Sequence, residues 1–215
     1  MNFERLYEYR FRDVDQAQRA DVWKELAPYL HEQLGRPDVV LDPAAGRGEF
    51  IDAVPAEERW AVDQQEPDER HRDPGVRWQR SDVLRADLPD GHFDGVLVSN
   101  FLEHLTGPDQ IAEVLARLHR ATRPGGRIAV MGPNFRYCAD EYFDMADHVV
   151  PLTHRAVAEH LFATGFEPER VVPRFLPYSI TGRLPATRRL VRTYLRVPLA
   201  WRIIGRQFLV VGRRI

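Results

Sequence analysis

Three aspartates close successive apolar segments of the chain, and their types and spacing suit the binding of a nucleoside. Asp42 ends the segment VVLD, Asp63 ends WAVD about twenty residues later, and Asp82 follows a third, weaker segment. A carboxylate at the end of a strand can accept hydrogen bonds from ribose hydroxyls, and another can accept the amino group of adenine. Each of these acids alone is more often a solvated loop residue. Together, at three successive strand ends, they predict a cradle for adenosine.

The turn that follows Asp42 reads PAAGRGEF and leads from an apolar segment into a helix start. Gly46 and Gly48 have no side chains, so a ligand can approach the backbone closely there, and the helix start would direct N–H groups toward it. A dinucleotide-binding turn would have glycine at Ala44 or Ala45, and a phosphate-binding loop would contain Gly-Lys-Ser/Thr. Neither pattern is present. By itself, the turn is equally compatible with an ordinary strand–helix connection.

Two histidines are candidates for acid–base chemistry. His104 follows the fourth predicted strand, and His148 lies in a polar and aromatic segment after the fifth. We favour His148 as the catalytic base, because Asp147 beside it could hold the required imidazole tautomer. His104 is the alternative base, and its competing interpretation is a helix residue bonded to the backbone.

The segment around His148 also contains candidates for a pocket that would bind a small-molecule substrate, called the acceptor below. The predicted acceptor-binding residues are Asn134, Arg136, Tyr137 and Tyr142. Asp144, Asp147 and His148 carry donor atoms that a divalent cation could use, but their spacing is not diagnostic. We therefore predict no metal site from the sequence.

Apolar segments alternate with amphipathic ones along the whole chain. Strands are predicted at residues 39–41, 60–63, 76–79, 93–100, 127–131, 170–175 and 207–211. Helices are predicted at 15–34, 51–54, 110–121, 153–163 and 185–204, the last broken at Pro198. Gly35 should end the first of these helices, and the turn at 123–126 should end the third. This alternation predicts an α/β fold with a parallel sheet covered on both faces.

Five motifs, in this order, resemble those of class I S-adenosylmethionine-dependent methyltransferases across residues 37–172. They read VVLDPAAGRGEF, AVDQQ, SDVL, FDGVLVSNFLEHL and RATRPGGRIAVMGPN. The order of the motifs is far more specific than any single one. The resemblance implies a Rossmann-like, seven-stranded, mostly parallel sheet with an antiparallel last strand and helices on both faces. It also implies S-adenosyl-L-methionine as the cofactor.

The same resemblance implies a role for each strand end. Asp42 and the backbone of 44–48 would lie near the methionine moiety, Asp63 near the ribose, and Asp82 with Val83 near the adenine. The full set of implied cofactor-binding residues is Asp42, Pro43, Ala44, Gly46, Gly48, Asp63, Gln64, Asp82, Val83, Ser99 and Asn100. Ala44 departs from the family, which usually has glycine at that position.

Later segments resemble a methyltransferase subgroup found with bacterial glycan and sugar natural-product pathways. They are GPNFRY at 132–137, DHVVPLT at 147–153 and RFLPY at 174–178. This resemblance implies O-methylation of a sugar-containing or other small polar metabolite in a biosynthetic pathway. One alternative is a weakly active or inactive cofactor-binding scaffold of the same fold. A nucleic-acid methyltransferase is the other, but the Ser-Asn-Phe-Leu sequence and the acidic body of the chain oppose it.

The composition favours one domain over residues 1–215, with an N-terminal helical cover at 1–36 and an Arg-rich insertion or lid at 176–205. The charged N-terminus is no signal peptide, no apolar run is long enough to span a membrane, and Cys138 is the only cysteine. A single cysteine excludes an intrachain disulfide and a cysteine-based metal cluster. We expect a cytoplasmic protein. The aromatic and basic residues at 7–12 could fold over the cofactor and pair with its carboxylate.

The C-terminal segment is basic, with eleven arginines and no Asp or Glu from residue 170 to residue 215. Arg189, Arg192 and Arg196 would share one helical face. Leu195, Leu199 and Ile203 can form an apolar stripe. These arginines could be solvated or paired with acidic residues of the remaining chain, since residues 1–169 carry a net negative charge. Alternatively, they could attract a phosphorylated or glycosidic small-molecule acceptor, or an anionic membrane surface in peripheral contact.

Overall fold

The computed structural model describes residues 3–12, 15–65, 73–178 and 187–215. Seven strands within these residues form one sheet. The strands are β1 Val39–Asp42, β2 Glu58–Asp63, β3 Val76–Arg80, β4 Phe93–Ser99, β5 Thr122–Pro133, β6 Phe166–Val172 and β7 Gln207–Arg214. Their order across the sheet is β3-β2-β1-β4-β5-β7-β6. The first five strands pair in parallel, and β7 is antiparallel to both of its neighbours. The predicted fold is therefore confirmed.

Helices connect the strands and cover both faces of the sheet. They are α1 Phe3–Phe11, α2 Gln16–Gln33, α3 Glu49–Ala53, α4 Pro108–Ala121, α5 Phe135–Tyr142, α6 His154–Ala163, α7 Arg188–Arg196 and α8 Pro198–Ile204. A 3₁₀ turn, Leu102–His104, follows β4. The carboxylate of Asp15 caps α2 by accepting from the Ala17 and Gln18 N–H groups at 2.9 and 3.2 Å. None of the described helices has both the length and the apolar content needed to cross a membrane.

Two apolar layers hold the sheet between the helices. Successive residues of a strand point to opposite faces, so Val96 and Val98 of β4 pack in the layer with α4 and α6, whereas Leu97 packs in the layer with α2. All three side chains are fully buried. This arrangement explains why the central strands are continuous apolar runs in the sequence.

Some predicted boundaries are wrong. The predicted turn at 123–126 is part of β5, because α4 ends at Ala121 and the strand starts at the next residue. The sixth strand begins at Phe166, four residues before its predicted start, where the backbone pairs with Arg214 of β7 and the phenyl ring is fully buried in the apolar core. Helix α5 was not predicted, and its backbone departs from helical geometry at Cys138.

The basic C-terminal segment forms two short helices. The predicted helix begins at residue 185, and residues 185 and 186 lie outside the described residues. The helix is interrupted at Val197, which lies between α7 and α8. This break separates the predicted apolar stripe. Leu195 is buried, but Leu199 and Ile203 are 66% and 73% exposed. The helix is interrupted beside Pro198, as predicted, but the three residues do not form the predicted apolar stripe.

Candidate functional site

The carboxyl ends of β1, β2 and β3 meet at one edge of the sheet because these strands run in parallel. The turn after β1 is tied to β2, since the Ala45 N–H donates to the Val62 carbonyl at 3.0 Å and the Gly46 N–H donates to Asp63 Oδ2 at 2.7 Å. In the sheet, β1 lies between β2 and β4, so the strand order reverses beside this turn. Ligands of open α/β sheets bind at such a reversal.

The predicted glycine turn leaves space for a ligand. Gly46 has φ +55°, and a Cβ atom built there would meet nothing within 4 Å. Gly48 has φ +85°. Both positions thus use a backbone conformation that favours glycine. Helix α3 is only five residues long, so the open backbone of the turn offers more to a ligand than a helix dipole does.

The acidic residues of the neighbouring strands form a continuous polar row with this turn. Asp63 Oδ1 accepts from the Gln65 N–H at 2.9 Å, while its Oδ2 holds Gly46. The Gln64 side chain donates to Asp82 Oδ2 at 3.3 Å, and Asp82 Oδ1 accepts from the Leu84 N–H at 2.9 Å. Carboxylate oxygens with several lone pairs suit the hydroxyls of a ribose and the amino group of adenine. The row therefore fits the predicted adenosine cradle.

Asp42 lies beneath the turn and is only 3% exposed. Burial raises the pKa of its carboxyl to about 8, and the nearby carboxylates of Asp63 and Glu49 raise it further, while the Ala44 N–H opposes them. Glu49 is itself paired with Arg19 of α2. The predicted neighbour Pro43 is buried and Ala44 is half-buried. Asp42 is thus an acid that a cationic ligand would help to ionise.

The pKa of Asp42 leads to a prediction for stability. Between its ordinary pKa and about 8, the folded chain holds a proton on Asp42 that the unfolded chain releases. The free energy of unfolding should therefore fall as the pH rises through this range, by up to about 1.4 kcal/mol per pH unit. In denaturant titrations, Asp42→Asn should remove this component, and the exposed control Asp38→Asn should keep it. Parallel pH curves for Asp42→Asn and the parent would contradict the assignment.

Strand β4 ends next to the same edge. Asn100 follows it in a left-handed backbone conformation, with φ +48°, and its N–H donates to the Met131 carbonyl at 2.9 Å. Its side chain donates to Ser99 Oγ at 3.1 Å. Asn100 is exposed, and asparagine tolerates this conformation better than most residues. The backbone then enters the 3₁₀ turn that carries His104.

The segment that carries His148 docks on this 3₁₀ turn through its backbone. The N–H groups of Val149 and Val150 both donate to the Glu103 carbonyl, at 2.8 and 3.1 Å. As a result, the two predicted histidines meet, with ring centroids 5.0 Å apart. Residues 44 positions apart in sequence are therefore brought into one cluster.

Asp147 orients His104, and not His148 as the sequence suggested. His104 Nδ1 lies 3.0 Å from the Asp147 carbonyl oxygen and 3.4 Å from Asp147 Oδ2. The carboxylate of Asp147 is also paired with Arg10 of α1. Although burial opposes it, the hydrogen bond from Arg10 and the charge of His104 keep the pKa of Asp147 below its ordinary value. The predicted partnership between Asp147 and His148 is wrong, because the Asp147 side chain points toward α1 and His104.

His148 packs against the ring of Tyr142, with centroids 4.8 Å apart. Its Nδ1 is buried and has no hydrogen-bond partner among the described residues. Burial, followed by the charge of His104, lowers the pKa of His148 to about 4. The imidazole is therefore neutral at pH 7, and one of its nitrogens is unused.

Glu103 completes the cluster and is not among the site residues predicted from the sequence. Its side chain is 1% exposed, and Oε1 forms no hydrogen bond within the described parts of the chain. Burial raises its pKa to about 7. Oε1 lies 4.0 Å from His104 Nε2. The Glu-His pair directly after the fourth apolar run was the available signal, but burial of its carboxylate could not be inferred from the sequence.

The predicted acceptor residues divide into structural and accessible groups. Asn134 is fully buried, and its amide donates to His154 and to the Pro173 carbonyl, while its oxygen caps α5. The Tyr142 hydroxyl donates to the Val150 carbonyl at 2.6 Å and accepts from the Leu152 N–H. Arg136 is exposed, and Tyr137 is half-buried. Asn134 and Tyr142 therefore hold the fold around the cluster, whereas Arg136 and Tyr137 retain accessible surface.

The sheet order, the glycine turn and the polar row together define a Rossmann-like methyltransferase fold. Residues 41–130 match a family model described as a methyltransferase domain. No match was found among the curated proteins. The matched segment and the fold are thus similar to those of S-adenosylmethionine-dependent methyltransferases.

Solved structures with the same fold cover nearly the whole chain. A SAM-dependent methyltransferase from Archaeoglobus fulgidus matches with a TM-score of 0.69 and 19% identity, covering 99% of this chain and all of the other. The 1,6-didemethyltoxoflavin-N1-methyltransferase of Burkholderia thailandensis, solved with S-adenosylhomocysteine, matches with a TM-score of 0.59 and 26% identity, covering 99% and 88%. The geranyl diphosphate C-methyltransferase of Streptomyces coelicolor matches with a TM-score of 0.64 and 15% identity, covering 88% and 77%.

Proposed function

We propose that this protein transfers a methyl group from S-adenosylmethionine to a hydroxyl of a sugar-containing or other small polar metabolite. The observation that carries the proposal is the pairing of Asp147 with His104 immediately after β4. An imidazole held by a carboxylate is a common arrangement for removing a proton from a hydroxyl. It lies beside the carboxyl end of β4, at the same edge of the parallel sheet as the adenosine cradle at the ends of β1, β2 and β3. A cofactor and an acceptor bound at this edge would therefore be neighbours.

S-adenosylmethionine would supply a methyl group that is already activated as a sulfonium, so that a carbon–oxygen bond replaces a carbon–sulfur bond. The chain's contribution is binding, alignment and proton removal. Asp63 would accept the ribose hydroxyls, and Asp82 with the Val83 N–H would bind the adenine. Asp42 and the open turn at 44–48 would face the methionine moiety. The relative from Burkholderia thailandensis, which is solved with S-adenosylhomocysteine and its substrate, supports a shared cofactor and a small-molecule acceptor.

His104 is the better-oriented base, since Asp147 fixes its tautomer. A free hydroxyl has a pKa far above 7, so proton removal must accompany methyl transfer. Arg10 would act as a positioning residue, because it holds the Asp147 carboxylate. Exposed Arg136 and half-buried Tyr137 remain the proposed contacts for the acceptor.

The main alternative is a scaffold of the same fold that binds the cofactor without catalysis. The observation that favours it is the lack of an orienting partner for His148 Nδ1 within the described residues. Methyl transfer to nitrogen or carbon is the other alternative for the chemistry, since the relatives include an N- and a C-methyltransferase.

Incubation of the protein with methyl-labelled S-adenosylmethionine tests these alternatives. The acceptor panel should contain sugar nucleotides, glycolipid intermediates, tRNA and DNA, each assayed with divalent cations and with a chelator. We expect label in a sugar-containing acceptor as an alkali-stable methyl ether. Label in nucleic acid would overturn the assigned acceptor class. Cofactor binding without transfer to any acceptor would favour the scaffold.

The arginine-rich segment gives a separate prediction about the acceptor. Arg188 and Arg192 pair with Glu25 of α2, at 2.9 and 2.8 Å, so these two arginines are structural. Arg189 and Arg196 are exposed. Arg189 also lines an open groove between the starts of α2 and α7. We propose that residues 176–205, of which 179–186 lie outside the described residues, act as an acceptor-side lid.

Replacing Arg189 and Arg196 with glutamine should raise the KM of an anionic acceptor severalfold, because guanidinium groups bind phosphate through paired hydrogen bonds. The affinity for the cofactor should not change. The matched control replaces Arg188 and Arg192 with glutamine, since it removes the same two charges from the side that faces Glu25. An unchanged KM, together with no binding of the parent protein to anionic vesicles, would leave these arginines a structural role only.

A further inference from the structure

We propose that Glu103, His104 and His148 form a binding site for a divalent transition-metal ion. Each of the three side chains offers one ligand atom, and these atoms all lie within 4.8 Å of one another. Two imidazoles and one carboxylate are a common protein ligand set for Zn²⁺, Fe²⁺ and Mn²⁺. The glutamate and one histidine are adjacent in the 3₁₀ turn after β4. The second histidine arrives from the segment that docks on the Glu103 carbonyl.

The state of Glu103 is the observation that points to a cation. A carboxylate that is 1% exposed normally has a full set of hydrogen bonds or an ionic partner, since burial of an unpaired charge is costly. Here Oε1 accepts no hydrogen bond in the part of the chain that the structure describes, and the His104 Nε2 atom 4.0 Å away offers it a charge only when that imidazole is protonated. The side chain extends over the end of β5, where Oε2 would lie 3.3 Å from a Cβ atom at position 132. Gly132 leaves room for the carboxylate to sit beneath the histidines.

The histidines present their unused nitrogens to the same place. His104 is bonded to Asp147 through Nδ1, so its Nε2, which lies 4.0 Å from Glu103 Oε1, remains available as a ligand. Nδ1 of His148 is buried and has no partner in the described ranges. Both imidazoles can therefore offer a lone pair to a cation without breaking a described hydrogen bond to their ring nitrogens.

The surroundings of these ligands also match a metal site. Metal-binding histidines usually bond their other ring nitrogen to a carboxylate or a carbonyl oxygen, which fixes the ring and its tautomer. Asp147 provides both kinds of oxygen to His104 Nδ1, and Arg10 holds the Asp147 carboxylate. When Glu103 is ionised, Glu103, Asp147 and Arg10 together leave one negative charge next to the ligands. A divalent cation would be favoured by that charge.

The site would tighten when a cation binds. Bonds of about 2.0–2.1 Å place tetrahedral ligand atoms roughly 3.4 Å apart. In this structure the three ligand atoms lie within 4.8 Å of one another, so the side chains would have to move by about 1 Å to reach that spacing. Three protein ligands would leave a coordination position for an acceptor oxygen. In that case His104 and His148 act as ligands, and the cation lowers the pKa of the acceptor hydroxyl. This last role rests on the proposed function, whereas metal binding itself does not.

Direct metal binding tests the inference without any acceptor. The full-length protein, stripped with a chelator, should bind one Co²⁺ or Zn²⁺ per chain by calorimetry, and Co²⁺ should give visible d–d absorption. Mg²⁺, which prefers oxygen ligands, should compete poorly. Glu103→Gln keeps the size of the side chain and its backbone contacts, and it should weaken Co²⁺ binding by at least tenfold. His148→Ala should have the same effect.

Two control substitutions and one parallel titration complete the design. Asp144→Asn and His160→Gln lie outside the ligand set and should bind Co²⁺ like the parent, which excludes loss through general charge or histidine content. S-adenosylmethionine binding, measured on the same metal-free samples, reports separately on the proposed function and on folding. Absence of Co²⁺ and Zn²⁺ binding in a parent that binds the cofactor would overturn the metal site alone. Equal Co²⁺ affinity in Glu103→Gln and the parent would overturn it as well.

Discussion

His104→Ala is expected to lower turnover by about 10²- to 10⁴-fold, the usual contribution of a general base, and to leave the affinity for S-adenosylmethionine nearly unchanged. The reason is structural. His104 is the imidazole that Asp147 orients, at 3.0 Å to its carbonyl and 3.4 Å to its carboxylate. No residue of the polar row that we assign to the cofactor depends on it. Single-turnover assays and calorimetry on the same samples would separate the two effects.

The companion variants decide between the histidines. His148→Ala should also lower turnover, because it removes the second imidazole of the cluster, whereas His160→Gln should not. Asp147→Asn keeps the backbone carbonyl that holds His104 Nδ1 but removes the carboxylate charge 3.4 Å from it, so it should lower turnover with little change in the acceptor KM. If His104→Ala keeps the parental turnover while His148→Ala abolishes it, the base assignment is reversed. Loss of Co²⁺ binding together with turnover in both alanine variants would favour the ligand role for the two histidines.

Asp63→Ala is expected to weaken cofactor binding by about 10- to 150-fold, which corresponds to roughly 1.5–3 kcal/mol for a charge-assisted hydrogen bond. Asp63 has two tasks in the proposed complex. It holds the glycine turn through the Gly46 N–H at 2.7 Å, and it would accept the ribose hydroxyls. Both would be lost with the carboxylate.

Calorimetric titration would measure this change, and the melting temperature would check the fold. Asp87→Ala is a suitable control, because it also removes an exposed acid at a loop near this part of the sheet but lies outside the polar row. An affinity of Asp63→Ala within twofold of the parent would contradict the ribose assignment. Equal weakening by Asp87→Ala would show that general charge, not the specific contact, is responsible.

Much of the fold can be predicted from local sequence patterns. Strands β1 and β4 are buried on both faces, so they appear as continuous apolar runs, and Asp15 and Thr153 start helices with side-chain caps. The order of the motifs then implied the sheet and the position of its antiparallel strand. The start of β6 was misplaced because pairing with β7, a partner about forty residues away, determines where that strand begins.

The site was predictable only in part, because its chemistry depends on contacts between distant segments. The meeting of the aspartates at one edge could be predicted, since parallel strands bring their carboxyl ends together there. The partner of Asp147 could not, because it is set by Arg10, which is 137 residues earlier, and by the docking of residues 149 and 150 on Glu103. The buried carboxylate of Glu103 likewise follows from packing over Gly132.

We infer that the strand-end acids and the open glycine turn bind the adenosine and methionine parts of S-adenosylmethionine without a phosphate site. Calorimetric titration of the full-length protein with S-adenosylmethionine, S-adenosylhomocysteine and NAD⁺ tests it most directly. We expect one site per chain for both S-adenosyl compounds and no measurable binding of NAD⁺ at the same concentrations. No heat of binding with either S-adenosyl compound at millimolar concentration, or NAD⁺ binding of equal affinity, would contradict it.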